Sequence, residues 1–129
     1  MSATVGATVR HRRYVPHGQA HYGGSLVDGA YVLALFGDAA TELCIRTDAD
    51  EGLFAGYDEV SFLAPVLAGD VIEVTATVDR VGRRSRGVAF TAAVTCRSDP
   101  AHGASAARVC EPPISVVTAH GTVVVPSVD

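Results

Sequence analysis

The stretch that decides the fold reads His21-Tyr22-Gly23-Gly24-Ser25-Leu26-Val27-Asp28-Gly29-Ala30, followed by Phe36-Gly37-Asp38-Ala39-Ala40. A glycine-rich loop leads here into a segment from Ser25 to about Arg46 that lacks proline. Apolar residues recur in this segment at helical spacing, which predicts one long helix. Ser25 is a candidate N-cap, and Asp28, three residues later, can take the carboxylate position of a capping box.

The sequence on both sides of this helix has the character of strands. Alternating residues over 7–14 predict a first strand, after a loose end at residues 1–6. Further strands are predicted over residues 53–63, 71–81, 86–97 and 114–125, with a turn at 82–85 and an irregular excursion at 98–113. One long helix and about five antiparallel strands predict a single α+β domain over residues 1–129, with the sheet wrapped around the helix.

Composition excludes several classes of protein. The net charge is -4, which argues against nucleic-acid binding because phosphate neutralisation needs a basic surface. No signal peptide and no apolar stretch of membrane-spanning length is recognisable. Cys44, Cys96 and Cys110 have no paired spacing. We therefore expect a cytoplasmic protein without a disulfide framework or a metal site.

A helical wheel divides the helix into two faces. One face is predicted to be buried and carries Leu26, Ala30, Leu33, Gly37, Ala40 and Cys44. The opposite face carries Asp28, Tyr31, Leu35, Asp38 and Glu42. This second face is either a solvated surface or a functional one. Asp38 favours a function, because a carboxylate within an apolar run is costly unless it is solvated, paired or used.

The loop before the helix provides candidate binding groups. Gly23 and Gly24 allow another molecule to approach the backbone, and the first N–H groups of a helix, here expected near Gly24 and Ser25, can polarise a carbonyl oxygen. Tyr22 and Tyr31 are expected to border this site. His21 is a candidate acid or base. The alternative is that the two glycines only form a turn and that His21 is simply exposed.

A basic cluster at the predicted 82–85 turn contains Arg83, Arg84 and Arg86 around Ser85. Guanidinium groups bind phosphates well, so this turn is a candidate site for a small phosphorylated ligand. The alternative is an exposed hairpin tip that tolerates charge.

The residues quoted first, extended over 20–30 and 36–43, resemble the hotdog-fold ammonia lyases that act on 3-aminoacyl-CoA, the family of the 3-aminobutyryl-CoA and β-alanyl-CoA enzymes. The resemblance continues through residues 56–66, Ala68-Gly69-Asp70 and Cys110-Glu111-Pro112-Pro113. It implies a hotdog fold and the reversible conversion of 3-aminobutyryl-CoA to crotonyl-CoA and ammonia. It also implies no cofactor, since coenzyme A is part of the substrate. The phosphates of coenzyme A would then bind at the turn with Arg83, Arg84, Ser85 and Arg86.

The segment Phe36-Gly37-Asp38-Ala39-Ala40 is also similar to the catalytic helix of hotdog acyl-CoA thioesterases, which maps their helix carboxylate onto Asp38. Their Gly-Gly lies about two helical turns closer to that carboxylate than Gly24 does to Asp38. Either the helix start is extended here or Asp28 replaces Asp38. A thioesterase and a non-catalytic acyl-CoA-binding module are therefore the alternative functions.

The resemblance to the lyases implies the roles of the remaining candidates. Either the helix-face carboxylates, Asp28, Asp38 and Glu42, or Glu111 would hold the substrate's ammonium group, and a carboxylate or His21 would remove the α-proton. A homodimer, or a larger assembly of dimers, is expected to share its sites between subunits. In such a dimer Glu111 would come from the neighbouring chain.

Overall fold

The computed structural model describes residues 3–126 and contains one long helix, α1, over Gly29–Asp48. Five strands make up a single antiparallel sheet in the order β1-β3-β4-β5-β2. Their bounds are β1 Thr8–Tyr14, β2 Leu53–Phe62, β3 Val71–Val81, β4 Ser85–Ser98 and β5 Ala107–Val124. The α+β architecture expected from the sequence is confirmed. Within the described residues no helix has the length and apolar character that a membrane span requires.

The core lies between α1 and the concave face of the sheet. Alternation along β3 and β4 directs one set of valines, alanines and aromatic rings toward the helix. At its centre the ring of Phe36 stacks on that of Phe90, with the centroids 5.0 Å apart. The buried face of the helix consists of Val32, Leu35, Phe36, Ala39, Ala40, Leu43 and Cys44.

This buried face corrects the helical wheel. Leu35 is 7% exposed although the wheel assigned it to the polar side, whereas Ala30 is exposed and Leu33 only half-buried. Two large side chains, Phe36 and Leu43, fix the orientation of the helix against the sheet. The wheel weighted all apolar residues alike and was therefore rotated from the true face.

The start of the helix is also different from the prediction. Gly24 and Ser25 adopt left-handed conformations, with φ of 73° and 64°, which no α-helix can include. Leu26 and Val27 are then extended and pair with the backbone of residues 66 and 67. Ser25 is therefore not the N-cap. The N-cap is Asp28, and the extended-helix alternative is wrong.

Two segments that were predicted to be irregular are more ordered in the structure. Residues 4–6 form a turn in which the Gly6 N–H donates to the carbonyl oxygen of Val78, although residues 1–6 were expected to be loose. Strand β5 begins at Ala107, within the expected excursion. Pro112 and Pro113 fit in it because they lie where β5 loses its pairing with β4, so their missing N–H groups break no ladder. Residues 1–2 and 127–129 lie outside the described part of the chain.

The stacked pair at the centre makes a prediction about stability. Phe36→Ala should lower the free energy of unfolding by about 3–5 kcal/mol, because it leaves a cavity under Phe90. Ile45→Ala, on the exposed side of the same helix, should change it by less than about 0.5 kcal/mol. Urea denaturation checks both. Equal effects of the two variants would contradict this account of the core.

Candidate active site

A cleft of about 650 Å³ opens at the first turn of α1. Three segments line it: the loop before the helix, the helix start, and the end of β2 with the loop that follows. The lining residues are Tyr22, Val27, Asp28, Gly29, Ala30, Val32, Phe62, Leu63, Ala64, Pro65, Val66 and Val117. The walls are mainly apolar, and the one charged side chain among them is Asp28.

The helix start in this cleft is not capped by its own N-cap side chain. Asp28 has the extended backbone of an N-cap, yet its carboxylate makes no capping hydrogen bond within the described residues. The first N–H groups of a helix lack intrahelical acceptors and carry partial positive charge. Gly29 and Ala30, the first two residues of α1, are among the residues that line the cleft. A carbonyl oxygen and a cationic group can thus be bound side by side.

Gly29 fits this position for a steric reason. A side chain at residue 29 would collide with the ring of Phe62. Phe62 and Leu63 are 59% and 57% exposed, so they present an apolar wall directly beside the polar helix start. An acyl chain can lie on this wall while its carbonyl group faces the N–H groups.

The predicted loop residues lie around the cleft in different ways. Tyr22 lines it, and His21 packs edge-on against Tyr22 with the ring centroids 4.7 Å apart. Gly23, Gly24 and Ser25 are exposed and precede the helix start. Tyr31 is half-buried and packs against the core. The N–H groups at the helix start therefore belong to Gly29 and Ala30, not to Gly24 and Ser25.

The four predicted carboxylates do not meet within one chain. Asp38 is exposed ten residues after Asp28, which is about 15 Å along the helix axis. Glu42 is paired with Arg46 at 2.6 Å and with His11 at 2.7 Å, and these two hydrogen bonds lower the pKa of Glu42. Glu111 is exposed on β5 and is not among the residues that line the cleft. Only Asp28 lies in the cleft of its own chain.

The arginines of the basic turn also differ in their surroundings. Arg86 is 8% exposed, and its Nη2 lies 2.7 Å from Asp48 Oδ1 while its Nη1 donates to the carbonyl oxygens of Gly82 and Ser85. It joins the β3–β4 turn to the end of α1 and is thus committed to a structural contact. Arg83 and Arg84 are exposed on the turn.

The sequence did not single out the second wall of the cleft. Phe62, Leu63, Pro65 and Val66 look like ordinary strand and loop residues, and their proximity to Gly29 is a long-range contact. The resemblance over residues 56–66 was the available signal, but it carried no role for these side chains. The ion pair between the buried Asp70 and the half-buried Arg97, which contacts this wall, was missed as well.

A separate titratable cluster lies on the opposite face of the sheet. His120 on β5 has Nδ1 2.6 Å from Asp58 Oδ1 and Nε2 2.8 Å from Asp79 Oδ2. Each carboxylate belongs to a residue skipped by the strand pairing, in β2 and in β3, and such bulges re-aim side chains. Gly87 on the intervening strand leaves room for Asp79, whose carboxylate a side chain there would meet.

The comparisons with known proteins identify the family. Residues 24–92 match the family described as the thioesterase superfamily, and the chain belongs to it. The chain is 54% identical over 109 residues to a 3-aminobutyryl-CoA ammonia lyase from Acetoanaerobium sticklandii. The aligned residues cover 83% of this chain and 85% of that lyase. The resemblance drawn from the sequence is confirmed.

Solved structures agree with this assignment. The β-alanyl-CoA:ammonia lyase from Clostridium propionicum superposes with a TM-score of 0.88 at 35% identity, covering 95% of this chain and 87% of that one. A hexameric hotdog-fold thioesterase from Campylobacter jejuni gives 0.72 at 21% identity, with 98% and 84% covered, which supports the fold alone. The hotdog fold expected from the sequence is confirmed.

The His120 cluster makes stability depend on pH. Hydrogen bonds that the His120 ring donates to Asp58 and then to Asp79 raise the pKa of His120 above its usual value. A raised folded-state pKa contributes stability that is complete below the unfolded pKa and is lost as pH rises through the folded one. His120→Asn should therefore cost more stability at pH 6 than at pH 9, measured by urea denaturation.

His102→Asn is the control: His102 lies 2.7 Å from Asp99, but its side chain is 77% exposed, so solvent screens the pair and its loss should cost little at either pH. A cost for His120→Asn that is the same at both pH values would contradict the pairing. Arg80 also acts on Asp58 and stays charged throughout this range, so it does not alter the sign.

Proposed function

We propose that the protein is an ammonia lyase that interconverts a short 3-aminoacyl-CoA, such as 3-aminobutyryl-CoA, with the enoyl-CoA and ammonia. The observation that carries this proposal is the Asp28 carboxylate beside the uncapped first turn of α1, within an apolar cleft. The two lyases to which the chain is similar act on substrates of this kind by name.

The cleft supplies the groups that the elimination needs. The thioester oxygen accepts hydrogen bonds from the N–H groups of Gly29 and Ala30, which stabilise the negative charge that develops as the α-proton leaves. A carboxylate takes that proton as a general base. The electron pair of the α-C–H bond forms the double bond, and the β-C–N bond breaks with its electrons on nitrogen. Ammonia leaves and crotonyl-CoA remains.

Asp28 is the carboxylate that lies closest to this chemistry by sequence and by placement. It precedes Gly29 directly and lines the same cleft, so it can act on the α-proton or hold the ammonium group. The reaction as written requires no metal or redox cofactor, and coenzyme A enters only as part of the substrate. A thioesterase would use the same N–H groups for a tetrahedral oxyanion, with water as the nucleophile.

We further propose a homodimer that pairs the β2 edges antiparallel. The sheet ends at β2, where Leu53 is 72% and Phe62 59% exposed. Antiparallel pairing sets the Leu53 end of one strand beside the Phe62 end of the other. A second, smaller cavity joins Leu53 to Arg84. The turn with Arg83, Arg84 and Ser85 thereby reaches the cleft of the partner, where it can bind the phosphates of coenzyme A.

The same pairing accounts for Asp38. Asp38 lies exposed near the middle of α1. In the proposed dimer, the helix of one chain presents its Asp38 to the cleft of the other chain. Glu111 keeps its sequence-based role as a second candidate for the ammonium group. The three cysteines are free thiols, the usual state in a reducing compartment, so we place the protein in the cytoplasm.

The reaction is tested directly with purified protein and two thioesters. Crotonyl-CoA plus ammonia should lose its enoyl absorbance without releasing free thiol, and 3-aminobutyryl-CoA should gain that absorbance. Release of free thiol, measured with a thiol reagent, would instead identify a thioesterase. Binding of coenzyme A without either reaction would identify a non-catalytic module.

Shared sites are tested by complementation. Asp28→Asn and Asp38→Asn should each lower lyase turnover by about 100-fold or more, the usual contribution of a general base. Hybrid dimers of the two variants contain one site with both carboxylates intact and should recover about a quarter to a half of wild-type turnover. Hybrids no more active than their parents would contradict a site built from Asp28 and the partner's Asp38. The same hybrid experiment with Glu111→Gln tests whether Glu111 belongs to the shared site.

A further inference from the structure

An ion pair between the buried Asp70 and the half-buried Arg97 lies beside the cleft and takes no part in the proposed chemistry. Asp70, directly before β3, is 1% exposed. Arg97 on β4 holds it with two parallel hydrogen bonds, from Nε to Oδ1 at 3.0 Å and from Nη2 to Oδ2 at 2.8 Å. Two-point pairs of this kind fix orientation as well as distance.

The remaining hydrogen bonds of this pair go to one wall of the cleft. Arg97 Nη2 also donates to the carbonyl oxygen of Pro65 at 3.0 Å, and Asp70 Oδ2 accepts from the N–H of Leu67 at 2.8 Å. Pro65 lines the cleft, and Leu67 follows the lining residue Val66. The ion pair therefore sets the position of the backbone between residues 65 and 67.

That backbone in turn holds the opposite wall. The N–H of Val27 donates to the carbonyl oxygen of Val66 at 2.9 Å, and the N–H of Ala68 donates to that of Ser25 at 2.9 Å. Asp28 directly follows Val27. The chain of contacts thus runs from Arg97, through the residue 65–68 backbone, to the carboxylate and N–H groups of the helix start.

We propose that Arg97, acting through Asp70, is a positioning residue of the lyase site, and this inference rests on the proposed function. It touches no substrate. It fixes the distance between the apolar wall that carries the acyl chain and the helix start that polarises the carbonyl group. A displacement of about 1 Å between reacting groups can cost on the order of 100-fold in rate.

Two variants remove this positioning to different degrees. Arg97→Gln leaves Asp70 buried without a counter-ion, which destabilises the fold. Arg97→Lys keeps the charge but loses the two-point geometry and the bond to Pro65. We expect Arg97→Lys to fold and to lower kcat by about tenfold or more, with a smaller change in KM, and Arg97→Gln to lower it further.

Val88→Ala is the matched control. Val88 is fully buried on the same strand, nine residues before Arg97, which is about 30 Å away. It should lower the thermal midpoint and leave kcat unchanged. Hydrogen–deuterium exchange gives a second readout that needs no activity: Arg97→Lys should speed exchange over residues 20–28 and 64–68, and Val88→Ala should not.

The outcomes distinguish the positioning role of Arg97 from the proposed lyase activity. A fall in kcat and faster wall exchange in Arg97→Lys, with neither in Val88→Ala, support the positioning role. The role is overturned if wall exchange matches that of Val88→Ala, or if kcat stays at the wild-type value. If the wild-type protein shows no lyase turnover, the proposed function fails, while the exchange measurement still decides whether Arg97 holds the walls.

Discussion

Helix α1 begins inside an apolar cleft, and none of its first N–H groups donates to the side chain of its N-cap, Asp28. Unsatisfied N–H groups in such a place need an acceptor, and water or a ligand carbonyl can provide one. The partial positive charge of the helix start makes it a favourable site for an oxygen that gains negative charge. The proposed chemistry depends on this first turn.

Several features of the structure preserve the open first turn. The left-handed residues Gly24 and Ser25 turn the chain so that Leu26 and Val27 pair with the far wall and do not extend the helix. The absence of a side chain at Gly29 leaves room for the ring of Phe62. Largely buried ion pairs anchor both ends of the fold around α1, with Asp70 and Arg97 at the cleft and Asp48 and Arg86 at the helix end.

The strands were largely predictable from the sequence, because alternation reports directly which residues face the core. Val71–Val81 was predicted at its observed bounds. The helix start was not, since a positive φ at Ser25 depends on pairing between segments about forty residues apart and leaves no local signal. The irregular segment before residue 114 was predicted to be too long. Strand β5 already begins at Ala107, but it loses its pairing with β4 around Pro112 and Pro113, which interrupts the regular pattern.

The candidate site was predictable in composition but not in arrangement. The wheel placed Asp28, Asp38 and Glu42 on one line. A helical wheel shows only the angular position of a residue and not its distance along the helix axis. That distance separates Asp28 from Asp38, and the pairing of Glu42 with His11 and Arg46 gives it a structural role. The resemblance supplied the reaction, and only the fold could reveal which carboxylate shares the cleft with the helix start.

The claim that the open helix start binds the thioester oxygen is tested most directly by vibrational spectroscopy. Crotonyl-CoA labelled with ¹³C at the thioester carbonyl would be bound to the protein in the absence of ammonia, and the isotope-edited infrared difference spectrum recorded. Hydrogen bonds from Gly29 and Ala30 should lower the carbonyl stretching frequency below its value in water. A frequency equal to or above the value in water would contradict the account.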